Sequence, residues 1–141
     1  MKSKPSLRYL AVLLAGAASI GLVACGKQGA PSVIETHKAG DLTITLLNDK
    51  GDLTQGQNNF IVEFKSATTR QPVDVGRVFI SSTMSMPGMA PMSAGIELAP
   101  AGKSGKYRAK GDFAMSGSWR FTIQWEGPAG KGNTVFSQSV R

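Results

Sequence analysis

The chain has 141 residues, 41% of them hydrophobic, with 16 Lys and Arg against 9 Asp and Glu for a formal charge of +7. That length fits a single domain of ordinary size, and the lone cysteine, Cys25, excludes any disulfide within the chain. Setting aside Lys2, Lys4 and Arg8 of the leader lowers the charge to +4, and the remaining positives are scattered, so no nucleic-acid partner is expected.

The leader comes first. Lys2, Lys4 and Arg8 precede an apolar run from Tyr9 to Ala24, too short for a membrane span and shaped like a secretory signal. It ends in Leu22-Val23-Ala24-Cys25-Gly26, which resembles a bacterial lipobox. That resemblance implies cleavage after residue 24 and acyl chains on Cys25. Each buried methylene contributes roughly 0.8 kcal/mol, so several chains together anchor stably. The expected setting is the cell envelope, lipid-anchored and facing the periplasm. Gly26 stands where some inner-membrane lipoproteins keep an aspartate, which favours the outer membrane. The lone thiol would otherwise be a liability in an exported protein.

Residues 25–40 read as a lipidated tether, small and polar with Pro31 and Gly40. His37, the only histidine, falls there and reads as a solvated residue or, if the tether folds back, a ligand.

From residue 41 to 141 the hydrophobic period is two. Leu42, Ile44 and Leu46 alternate with threonines, and Asn48-Asp49-Lys50-Gly51-Asp52 reads as a turn. Phe60, Val62 and Phe64 define a second strand, and Val78 and Ile80 a third. Ile96 and Leu98 give a fourth and Tyr107 and Ala109 a fifth. Trp119, Phe121, Ile123 and Trp125 mark the sixth, and residues 134–140 the last. About seven short strands separated by Gly, Pro, Asn and Asp clusters predict an all-β, immunoglobulin-like antiparallel β-sandwich. The expected core includes Val62, Phe64, Ile80, Phe121, Ile123 and Trp125. Lys103, Lys106, Arg108 and Lys110 read as a solvated strand face, or as a contact for anionic headgroups.

Between the third and fourth strands, Met84, Met86, Met89 and Met92 fall within nine residues, interleaved with Ser85, Pro87, Gly88 and Pro91. Methionine usually fills core gaps, but these neighbours form turns. A loop presenting several thioethers suits a soft ion, Cu(I) or Ag(I), far better than Zn(II), Ca(II) or Mg(II). Met115 lies in a second loop. Two other readings stay open: an apolar lid over the end of the sandwich, and an adaptable protein-binding surface. Trp119, beside Met115, is read either as a cap over a bound cation or as core.

Three segments carry a family resemblance. Met84-Ser-Met-Pro-Gly-Met89 resembles a methionine- and proline-rich turn, and Leu98-Ala-Pro-Ala-Gly-Lys-Ser-Gly-Lys-Tyr107 a Pro/Gly hairpin leading to a strand tyrosine. Phe113-Ala-Met115-Ser-Gly117-Ser-Trp119 resembles a Met-x-Gly-x-Trp corner. Their order and spacing are similar to the YtkA-like and FixH-like family of exported bacterial domains. The resemblance implies a small membrane-tethered sandwich linked to copper handling, metal efflux or oxidase assembly, with Met115 near the methionine turn. FixH-type proteins keep an uncleaved membrane helix, whereas this chain has a lipobox. Histidines often follow the family's methionine turn; here Ser93 and Ala94 stand in that place, which leaves a thioether-only site.

An enzyme is not expected. With His37 in the tether, no Ser-His-Asp constellation can form on the domain. The acidic residues Glu63, Glu97 and Glu126 read as scattered over strand edges and turns. No glycine motif leads from a strand into a helix to cradle phosphate. The function expected is a membrane-anchored lipoprotein binding Cu(I) or Ag(I) through Met84, Met86, Met89, Met92 and Met115. The alternative is a metal-free interaction module of an envelope or efflux complex.

Overall fold

The computed structural model describes residues 29–141. The leader over residues 1–24 and the lipidation site Cys25 lie outside the described residues. Nine strands and no helix appear among the described residues. They are β1 (Ser32–Ala39), β2 (Leu42–Asn48), β3 (Gly56–Ser66), β4 (Arg77–Met84), β5 (Met92–Ala94), β6 (Ile96–Pro100), β7 (Lys106–Phe113), β8 (Gly117–Gly127) and β9 (Gly130–Val140). One sheet has the order β1-β2-β3-β7-β6, the other β5-β4-β8-β9, and the strand pairs within both are antiparallel. The sheets stack with β1 beside β9 and β6 beside β4.

Period-two alternation is what closes this sandwich. On β8 the side chains of Trp119, Phe121, Ile123 and Trp125 are buried, while Arg120, Gln124 and Glu126 point to solvent. Opposite them, Ile44, Leu46, Phe60, Val62, Phe64 and Phe113 supply the other inner face. Aromatic rings lock the layers edge to face: Phe64 meets Trp125 at 5.8 Å and Phe113 meets Trp119 at 5.3 Å between ring centroids. All six residues expected in the core are buried. The expected turn at residues 48–52 is also there, with Asn48 Oδ1 accepting from the N–H groups of Lys50 and Gly51.

Two strands exceed the expected seven. The first corrects the tether: residues 32–39 are β1, and the sandwich begins at Ser32, not at residue 41. β1 pairs with β2 from Ser32↔Asn48 to Ala39↔Leu42. It is an edge strand with one neighbour in its sheet, so it needs few apolar residues and reads as linker. Ile34 packs on the core, and His37 stacks flat on Phe136 of β9, centroids 4.0 Å apart. That stack closes the side of the sandwich between its two sheets, and it fixes His37 on a strand, half-buried rather than freely solvated.

The second extra strand is β5. It continues into β6 across Gly95, and the chain changes sheets there: Ala94 pairs with Ser82 in one sheet, Ile96 with Gly111 in the other. One further difference concerns Glu63. It lies on central strand β3, not at an edge, and it is buried between the ammonium groups of Lys65 and Lys106, each 3.0 Å away.

Candidate functional site

The methionine segment is a hairpin joining β4 to β5. Its tip is a β-turn in which the Met89 N–H donates to the Met86 carbonyl at 3.2 Å. Pro87 occupies the first central position, where its ring presets φ. Gly88 occupies the second with φ of +73°, which a side chain would strain. β4 ends at Met84, two residues before this turn, so strand alternation does not carry on to Met86.

The pairing of this hairpin sets the thioethers. Met84 and Met92 are direct cross-strand partners. Val78, Ile80 and Ser82 alternate inward along β4, and Met84 continues that inner face. Both Met84 and Met92 are part-buried and packed against the edge of the core. Met86 is also part-buried, whereas Met89 stands 67% exposed at the tip.

Met115 lies in the turn between β7 and β8 and is 41% exposed. A Cβ added at Gly117 would stand 3.0 Å from Met84 Sδ, so this sulfur lies directly over the glycine, two residues past Met115. The φ of Gly117 is +141°. Glycine is required there twice, for the backbone angle and for the close approach of the thioether. Trp119 is fully buried, and its indole N–H donates to the Met115 carbonyl at 3.0 Å. Of its two readings, burial supports the core one: the indole braces the turn that carries Met115.

The site is therefore an inner pair, Met84 and Met92, flanked by Met115 and by Met86 with the exposed Met89 at the hairpin tip. Among the described residues no three His, Cys, Asp or Glu side chains are grouped to hold a metal ion. The donors gathered at this end are neutral and soft, which fits a monovalent d¹⁰ ion and not a hard divalent one. Gly117 had no side chain to announce it, but its place in the Met-x-Gly-x-Trp motif was the available signal.

The model of the YtkA-like family matches residues 36–124. No curated protein sequence matches the chain. Among solved structures, it is similar to a DUF4426 family protein from Pseudomonas aeruginosa, with 12% identity and a TM-score of 0.48 over 74% of this chain and 94% of that one. It is also similar to a copper-bound variant of FetP from uropathogenic Escherichia coli, with 8% identity and a TM-score of 0.45 over 79% of this chain and 97% of that one.

Proposed function

The chain belongs to the YtkA-like family, and from that premise we propose that it is a non-enzymatic envelope lipoprotein, anchored through Cys25, that binds Cu(I) or Ag(I) at its methionine hairpin. The observation that carries this reading is the placement of Met84 directly opposite Met92, with its sulfur over Gly117 beside the Met115 turn. Three thioethers from two adjoining turns can close a trigonal site for a soft ion. The strands fix the backbone of the pair before any metal arrives, which lowers the ordering cost of binding. The bound ion would be handed on within copper handling, metal efflux or oxidase assembly.

Titration of the protein lacking residues 1–25 with Cu(I), under anaerobic competition with a chromophoric chelator, tests this. One ion should bind per chain, and Ag(I) should displace it. Affinity should change little between mildly acidic and neutral pH, because a thioether has no proton to lose. No measurable Cu(I) binding would end the reading. The exposure of Met89 favours a second one, in which the hairpin tip is an adaptable surface for a protein partner.

A further inference from the structure

The strand that leaves the tether starts at the same end of the sandwich as the methionine hairpin. Ser32, the first residue of β1, pairs with Asn48, and the loop that follows Asn48 reaches the turn carrying Met115: Gln55 Nε2 donates to the Ala114 carbonyl at 2.9 Å. β4 ends and β8 begins at this end too, since Thr83 pairs with Arg120. The turn after β6, with Ser104 at its tip, lies at the other end, where Pro100 pairs with Tyr107 and Gly105 bonds to Phe64.

The sequence leaves six residues, 26–31, between Cys25 and Ser32. Fully extended they span about 25 Å. From Ser32 the far end lies a strand length away, since β1 runs eight residues toward it, about 26 Å at the rise of a strand. To seat the far end on the bilayer, the whole tether would have to double back fully extended along β1, whereas the near end adjoins the tether with no such extension. The near end is also the more apolar. Of the five large hydrophobic side chains exposed among the described residues, Val33, Met89 and Met115 belong to it. Its charges offset one another: Arg141 Nη1 lies 3.4 Å from Asp52 Oδ2, and Asp49 adjoins Lys50.

We propose that the methionine-bearing end is the membrane-facing end, seated on the lipid interface through Val33, Met89 and Met115. The hairpin is then presented to the bilayer surface and not to the open periplasm. This rests on lipidation at Cys25 and is independent of copper.

The test uses the full chain, processed and lipidated in cells. Acylated Cys25 carries no free thiol, so an introduced cysteine is the one site for a fluorescein maleimide. Ala90→Cys labels the hairpin and Ser104→Cys the far turn; both positions are exposed. Each labelled protein is reconstituted in phosphatidylcholine vesicles containing a rhodamine lipid. Intact mass should show acyl chains on Cys25, and energy transfer should be several-fold stronger from position 90 than from 104. It should persist in high salt and be no greater with added phosphatidylglycerol, because the seat is apolar. Equal or reversed transfer on a lipidated protein overturns the orientation alone. Transfer that collapses in salt overturns the apolar seat. An unmodified Cys25 overturns the anchor and the orientation with it.

Discussion

Met84 and Met92 face one another across the β4–β5 hairpin, at the edge of the core and half-shielded from water. That pairing ranks the thioethers. The inner pair is held by strand hydrogen bonds, whereas Met86 and Met89 bracket a turn. Leucine keeps the volume and apolarity of methionine while removing sulfur. Met84→Leu with Met92→Leu should fold normally, by circular dichroism and melting temperature, yet lose Cu(I) affinity by about 100-fold or more, since even an outer contact to a metal ligand can be worth up to that. Met86→Leu with Met89→Leu should lose less. The reverse order in the chelator competition would move the site to the turn.

Gly117→Ala is the second test. The new methyl group would meet Met84 Sδ at 3.0 Å, on a backbone at φ of +141°. Strain of that kind costs about 1–3 kcal/mol. Thermal unfolding should show the loss, and Cu(I) affinity should fall as well because the sulfur must move. The double variant Gly117→Ala, Met84→Ala should recover part of the stability. An additive result would deny the contact.

Much of this was legible before any coordinates. β8 announced itself through four large apolar residues at period two, because a strand at the centre of its sheet must bury one whole face. β1 did not. At an edge, beside Pro31 and Gly40, its polar residues look like linker, and its place depends on the His37–Phe136 stack, a contact about 100 residues apart in sequence that no local pattern encodes. β5 was hidden for a related reason: it has three residues, of which Ala94 alone is buried, and Gly95 separates it from β6. The site was half legible. Residue types gave the chemistry and Pro87-Gly88 gave the turn. The Met84–Met92 pairing depends on the register of a hairpin with a seven-residue loop, which composition does not fix.

Trp119→Phe probes how the Met115 turn is held. The ring volume is largely retained, but the indole donor to the Met115 carbonyl is lost. An unpaired carbonyl near a buried ring costs about 1–3 kcal/mol. The turn should loosen, seen as faster amide exchange at residues 114–117, with a modest fall in Cu(I) affinity. Trp125→Ala, at the other end of the same strand, should cost about 3–5 kcal/mol through its cavity and, if it still folds, leave metal affinity unchanged. A loss of affinity in Trp125→Ala equal to that in Trp119→Phe would mean that both act through global stability alone.

Glu63 gives the last prediction, and it concerns pH. Burial by itself would raise the pKa of this carboxyl, but hydrogen bonds and charge from Lys65 and Lys106 outweigh burial and hold it below its ordinary value of 4.5. The unfolded chain therefore takes up a proton on this group before the folded one does. Its contribution to stability is complete above the ordinary value and is lost as pH falls through the lower, folded one. Urea unfolding of the native protein should thus give a midpoint that declines on acidification below about pH 4.5, the carboxyl's ordinary value. Glu63→Gln should destabilise at neutral pH by about 1.5 kcal/mol, the lower end for hydrogen bonds to a charged group, because both lysines are more than a third solvent-exposed and stay hydrated when the carboxylate is gone. The difference between the two proteins should shrink toward zero in acid. A gap that stays constant from neutral pH down to strong acid would mean that Glu63 contributes by packing and not by charge.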